Sequence, residues 1–208
     1  MLDVDKAFDS LWVDGILYKM LEAKLPTKLI RFFANFLKGR SLRVKMGTAR
    51  SRWIEMCAGS PQGAILSPDI FLFFSADMPL KDDTLESSSL YADDSCTWCI
   101  TASLELAQRR LQENISALEK WFLKWRLLPA ASKSTIVVFS RRTSINAIDK
   151  LLEVKLMDEK IPVVKEAKFL GVVFDRRANW SSYIDELIKK ATEDLRHPKA
   201  DEKLDVTR

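Results

Sequence analysis

Leu90-Tyr91-Ala92-Asp93-Asp94 sets two adjacent carboxylates between an apolar pair and the segment Thr97-Trp98-Cys99-Ile100. The pattern reads as strand, tight turn, strand, with Asp93 and Asp94 at the bend. Like charges crowded at a hairpin tip repel and gain nothing from the fold. A hard divalent cation reverses that sign, because Mg²⁺ is bound through one or two carboxylates together with substrate phosphates. Asp-Asp is also ordinary turn chemistry, so the pair takes its meaning from its surroundings.

Working outward, residues 2 to 4 read as the end of a strand, followed by a helical stripe of Leu11, Trp12, Ile16, Leu17, Met20 and Leu21. Pro26 opens a second helix carrying Leu29, Ile30, Phe32, Phe33, Phe36 and Leu37, with Gly39 just past its end. Leu42, Val44 and Met46 alternate with Arg43 and Lys45, as in a strand that pairs with Trp53–Cys57. Gly59, Pro61 and Gly63 require a loop with unusual backbone angles. Ser67-Pro68-Asp69 has the form of a helix start, and the apolar run Ile70–Met78 predicts a central buried helix.

Beyond the doublet, Leu104, Ala107, Leu111, Ile115, Leu118, Phe122 and Trp125 recur at steps of three and four, the clearest amphipathic helix in the chain. Pro129 closes it. Lys133 precedes the β-rich run Ser134–Phe139, and a weaker hairpin is expected to turn at Asp158-Glu159. Lys168–Phe174 reads as a strand interrupted by Gly171, where another backbone would come close. Ser182 to Asp185 resembles a capping box opening a last helix to about Arg196, and the residues from His197 on lack an apolar pattern. The resulting order predicts an α+β fold, an antiparallel sheet with helices packed on one face.

At 208 residues the chain can build one good core, and 47% hydrophobic with 30% charged residues is ordinary for a soluble globular protein. No apolar run reaches the ~18 residues of a membrane span and no signal peptide is evident, so the expectation is no membrane and an intracellular setting, with nucleus and cytoplasm both open. The three cysteines do not make a zinc site: Cys96 and Cys99 fall on opposite faces of a strand, and all three are expected to be reduced and mostly buried. A net charge of +4 argues little, but Arg31, Lys38, Arg40, Arg43, Lys45, Arg50 and Arg52 follow one another without an intervening acid. Such a block either tracks a phosphate backbone or forms a solvated face.

Asp3-Val4-Asp5-Lys6-Ala7-Phe8-Asp9, then Pro61-Gln62-Gly63 with Leu66-Ser67-Pro68, then Tyr91-Ala92-Asp93-Asp94, then Phe169-Leu170-Gly171 followed by Asp175 and Trp180, occur in this order. Together they resemble the motifs of a reverse transcriptase palm, specifically that of non-LTR (LINE, jockey-like) retrotransposons. Trp12 and Asp14-Gly15 point to the same clade. The resemblance implies a right-hand polymerase palm over residues 1–166 with its first strand truncated. A primer-grip-like strand and the start of a thumb would cover 167–196, and a disordered tail 197–208. The fingers would be missing and the thumb mostly so, and Ala130-Ala131 stand where the family usually has Asn-Pro.

Several roles follow from that resemblance. Asp3, Asp93 and Asp94 would be the catalytic acids, with Asp3, Asp93 and the Val4 carbonyl holding two Mg²⁺ ions (or Mn²⁺). Phe8 would be a steric gate against a 2′-OH, although core packing explains a phenylalanine there equally. Gln62 and Gly63 would lie over the incoming nucleotide, and Lys133 would protonate the leaving pyrophosphate. Arg40, Arg43, Lys45, Pro61 and Gly171 would contact nucleic acid. The implied activity is RNA-directed DNA polymerisation on an RNA template and DNA primer with deoxynucleoside triphosphates. The chain alone is expected to be weak or inactive, and the alternative is a non-catalytic nucleic-acid-binding relic.

Overall fold

The computed structural model describes residues 1–140 and 151–196. A short helix α1 (Ala7–Ser10) precedes the first apolar stripe, which forms α2 (Val13–Glu22) after the backbone turns extended at Leu11-Trp12. Pro26 caps rather than begins α3 (Thr27–Leu37). A basic antiparallel region follows, with β1 (Arg40–Leu42) paired to β4 (Ile54–Met56) and a smaller hairpin of β2 (Lys45–Met46) and β3 (Ala49–Arg50) beyond it. The single alternating strand expected over 42–46 is therefore broken in two at Arg43-Val44.

Helix α4 (Ser67–Ser75) has Leu66 at its cap position and Ser67 as its first residue, whose hydroxyl donates to the Pro61 carbonyl at 2.6 Å. Ile70, Phe71 and Phe74 are buried as expected, but Leu72 faces solvent, so one edge of this apolar helix is bare. The hairpin of β5 (Glu86–Tyr91) and β6 (Asp94–Cys99) closes through Ala92-Asp93. Helix α5 (Leu104–Lys124) is capped by the Ser103 hydroxyl, which accepts from the Leu106 N–H. After β7 (Ile136–Val137), the hairpin β8 (Lys155–Leu156) and β9 (Glu159–Lys160) turns at Met157-Asp158. β10 (Val163–Val164) pairs parallel to β7, then come β11 (Glu166–Phe169), β12 (Val172–Asp175) and α6 (Ser181–Arg196).

The core lies where α2, α4 and α5 meet, with Leu11, Ile16, Leu37, Phe74 and Phe122 fully buried. Trp121 and Trp125 meet Phe74 edge-on at 5.9 and 5.7 Å between centroids. Lys19 is buried among these rings, 3.9 Å from the Trp125 centroid, and its ammonium donates to the Phe74 carbonyl and to Asp77. The Trp121 indole N–H donates to the same carboxylate at 2.8 Å. Burial pushes the Lys19 ammonium below its usual pKa. The bonds from Lys19 and Trp121 outweigh burial at Asp77 and hold its carboxyl low.

Four expectations need correction. The sheet is not continuous: among the described residues it consists of two-stranded ladders joined by isolated bridges, one of the ladders parallel. The reason is the first strand, which among the described residues forms isolated bridges, Leu2–Ser95 with the β5–β6 hairpin and Val4–Pro129 with the 128–135 segment, rather than a ladder. Gly171 does not interrupt a strand either; with Leu170 (φ 48°) it makes the tight turn between β11 and β12 at φ 83°, facing open space. Cys57 is exposed rather than buried, while Cys96 and Cys99 are half-buried. The last helix begins at Ser181, so Ser182 lies inside it. The tail call on 197–208 lies outside the described residues.

Candidate active site

Residues Met1–Asp5 run between two neighbours. On one side the Leu2 N–H donates to the Ser95 carbonyl at 2.8 Å and the Ser95 N–H returns the bond at 3.4 Å. On the other, the Met1 amino group and the Thr135 carbonyl meet at 2.9 Å, the Thr135 N–H donates to Met1 at 3.0 Å, and Ala130 donates to the Asp3 carbonyl at 3.0 Å. The antiparallel Leu2–Ser95 bridge, continued by one residue, sets Asp3 opposite Asp94. By the alternation of an extended strand, the peptide groups of Val4 face the hairpin, as those of Leu2 do.

Asp93 sits in the two-residue turn beside Ala92, whose φ is 52°, and Asp94 begins β6 opposite Tyr91. Partial burial and then the charges of Asp93 and Asp3 raise the Asp94 carboxyl above its ordinary pKa. Asp94 thus feels both its neighbour in sequence and an acid from the start of the chain. Their oxygens are the hard donors that Mg²⁺ prefers. Among the described residues, however, no three acidic, Cys or His side chains gather tightly enough to hold one ion by themselves.

Lys133 is nearby. Its ammonium donates to Asp5 at 2.7 Å and lies 3.9 Å from Asp3. That bond holds the Asp5 carboxyl below, and Lys133 above, the ordinary value. Sequence reasoning passed over Asp5, although a two-residue step along a strand returns a side chain to the face of Asp3. The buried Met1 ammonium has a lowered pKa because burial disfavours its charge.

Phe8 packs its ring 4.7 Å from Phe71 at the edge of the core, and Gln62 donates from Nε2 to Asp9 at 2.8 Å. The Pro61–Gly63 loop is thereby tied to α1. Its close approach is made by Gly59, which lies at φ 82°, and a Cβ there would stand 2.7 Å from the Asp9 carbonyl. Gly63, at φ 80°, has open space around it. Arg40 bonds to the carbonyls of Leu37, Ala58 and Gly59, which makes it a clamp on this loop. Arg43 and Lys45 are exposed, the Arg43 guanidinium standing 4.4 Å over the Trp53 ring. Gly171 lies at the tip of the β11–β12 hairpin, with open space around it and remote in sequence from the acids.

The family model described as "Reverse transcriptase (RNA-dependent DNA polymerase)" matches residues 1–174. The chain is 31% identical over 192 residues to the RNA-directed DNA polymerase from mobile element jockey of Drosophila funebris, covering 89% of this chain and 20% of that protein. Its counterpart in Drosophila melanogaster is 30% identical over 189 residues, with 88% and 20% covered. The probable RNA-directed DNA polymerase from transposon X-element of Drosophila melanogaster is 30% identical over 191 residues, with 89% and 20% covered. The chain spans about a fifth of the length of these curated relatives. The match takes in the opening acid, the glycine loop and the carboxylate hairpin alike, and with most of its length inside that match the chain belongs to the reverse transcriptase (RNA-dependent DNA polymerase) family.

Proposed function

We propose that this chain is the palm-centred portion of an RNA-directed DNA polymerase of the non-LTR retrotransposon kind, acting on an RNA template, a DNA primer and deoxynucleoside triphosphates. The palm would run to residue 166, and β11, β12 and α6 would begin the primer-gripping and thumb part. The observation that carries this reading is the Leu2–Ser95 bridge, which supports a shared site for Asp3 and the Asp93-Asp94 doublet.

Asp3, Asp93 and the Val4 carbonyl would hold the metal, with Asp94 as a supporting acid. Bound there, Mg²⁺ or Mn²⁺ supplies Lewis-acid charge at the entering and leaving oxygens of nucleotidyl transfer. Lys133 neutralises Asp3 and Asp5 and stands ready to give a proton to a departing phosphate oxygen. Phe8, braced by Phe71, would exclude a 2′-OH by repulsion, and Gln62, held by Asp9, would lie over the nucleotide beside Gly63. Pro61, Arg40, Arg43, Lys45 and Gly171 would contribute on the nucleic-acid side. Of these, Arg43 and Lys45 are the exposed cations.

Mn²⁺ binding, followed by electron paramagnetic resonance, and primer extension on an RNA template test this reading. Mn²⁺ binding that is lost in Asp3→Asn and in Asp93→Asn supports it, together with little or no extension by the chain alone. Binding indifferent to both substitutions overturns it. A second reading, a nucleic-acid-binding relic, draws on the internal Lys133 cation already seated on the acids. It predicts salt-dependent RNA binding that is lost in Arg43→Ala/Lys45→Ala and insensitive to Mg²⁺.

A further inference from the structure

The β1–β4 ladder runs as far as Leu42–Ile54, and beyond it Lys45 faces Arg50 across β2 and β3. Ser51 joins the two parts: its N–H donates to the Val44 carbonyl and its hydroxyl accepts from the Val44 N–H, both at 2.9 Å. Arg43 alone therefore stands opposite both Arg52 and Trp53, a one-residue bulge in a continuous ribbon, and a bulge re-aims the side chains around it. The Arg43 guanidinium lies 4.4 Å over the Trp53 ring, so the two share a face, and the two-residue alternation brings Lys45 and its partner Arg50 to that face as well. Leu42, Val44 and Met46 turn to the other. Between Glu22 and Glu55 the sequence has no acid, and Glu55 sits opposite Ser41, toward the α3 end of the ribbon. Among the described residues Arg43, Lys45, Arg50 and Arg52 have no carboxylate within ion-pair distance. Lys45 and Arg50 are like charges directly opposite each other, a repulsion that an anion between them reverses. Trp53 is 60% exposed although Arg43 covers one side of its ring, so the other side is bare.

We propose, resting on the nucleic-acid role given above to Arg43 and Lys45, that this face binds unpaired nucleotides: Trp53 stacks one base on its bare side, while Lys45, Arg50 and Arg52 hold the flanking phosphates. A stack needs a base with a free π-face. In a duplex both faces of every internal base are taken by neighbouring pairs, so the site selects single strands through the base and not through charge. The Arg43 guanidinium completes the stack from behind, with a cation on one side of the indole and a base on the other. Every base offers such a face, so the contact tolerates any sequence, and it does not read the 2′-OH, so RNA and DNA strands are equivalent here. Arg40 takes no part, because its guanidinium is spent on the carbonyls of Leu37, Ala58 and Gly59. The competing account makes Trp53 a brace for Arg43. A brace contributes to folding stability and, through Arg43, to the binding of all strands alike.

The test measures, by fluorescence anisotropy on the full chain at one salt concentration, the binding of a labelled oligoadenylate and of an abasic sugar–phosphate strand of the same length. The abasic strand keeps the charge and lacks the bases. Trp53→Leu is expected to weaken oligoadenylate binding by about tenfold, the lower end of what a base–aromatic stack contributes, and to leave abasic binding unchanged. Trp53→Phe should restore most of the loss. Arg50→Ala should weaken both strands and lower the salt slope by about one. Tryptophan emission quenched by oligoadenylate in the unaltered chain, and not in Trp53→Phe, reports the stack directly and stands even if Trp53→Leu fails to fold. Equal losses for the two strands in Trp53→Leu, or none for either, overturn the stacking site while leaving the nucleic-acid reading in place, provided that Arg43→Ala/Lys45→Ala still abolishes binding. Binding indifferent to that double substitution removes the reading itself, and the stacking site with it.

Discussion

Two lysines in this chain each pair with carboxylate, and their surroundings differ completely. Lys19 is sealed among Phe74, Trp121 and Trp125 and ties α2 to the end of α4 through Asp77. Lys133 lies half in solvent across Asp3 and Asp5. A buried ion pair cannot be dissolved without stranding a charge, whereas an exposed one is screened and exchangeable. The first cluster is therefore part of what holds the chain together, and the second is free to trade its cation for another. The buried pair belongs to the helical half and the exposed one to the thin first strand.

The sharpest break of that contrast is Asp77→Ala. It leaves Lys19 with the Phe74 carbonyl and three rings, and takes the acceptor from the Trp121 indole. A loss of about 2–3 kcal/mol is expected by urea unfolding, short of the fullest cost because Asp77 is itself half exposed. Gly59→Ala should cost about 2 kcal/mol and loosen the loop, through a positive φ and a Cβ driven against the Asp9 carbonyl. Gly63→Ala, with the same sign of φ but open space, should cost less, so equal losses would remove the case for close packing at Gly59.

Asn114 is a flaw inside the strong half: it is buried on α5, and neither side-chain amide atom has a partner among the described residues. Asn114→Leu should stabilise the chain by about 1 kcal/mol, measured by calorimetry. At the acidic end, Asp5→Asn should leave the melting temperature unchanged yet alter Mn²⁺ affinity, because Lys133 would then turn wholly toward Asp3. A large melting shift there would erase the distinction between the two lysines.

The smallest effect is a pH dependence. Glu186 on α6 is pulled from the ordinary 4.5 to about 2 by Lys168 of β11 and by Lys190. Its folded value lies below its unfolded one. The contribution is therefore complete above about pH 4.5 and fades as the pH falls toward 2. Glu186→Gln should flatten the acid limb of a melting-temperature profile over that window and leave neutral pH almost untouched.

Much of this was legible beforehand. The 3.6-residue period named α5 nearly to the residue, and the doublet named its own hairpin, because both signals are local. The companionship of Asp3 with Asp94 was legible only through the order of motifs, since nothing local joins distant acids. The Asp5–Lys133 pair escaped notice because it needs the first strand docked on the 128–135 segment. Gly171 was misread because a glycine within an apolar run can mark a bulge or a hairpin tip, and Leu170 conceals the turn. Arg40 looked like its basic neighbours, but the carbonyls it clamps come from beyond its own strand.

The bend at Ala92-Asp93 has one more implication. An alanine held at φ 52° occupies a conformation that glycine or asparagine takes with far less reluctance. Relaxing it would let the tip swivel, so the methyl group behaves as a stiffener: the same crowding that disfavours the conformation narrows the arc through which Asp93 can swing.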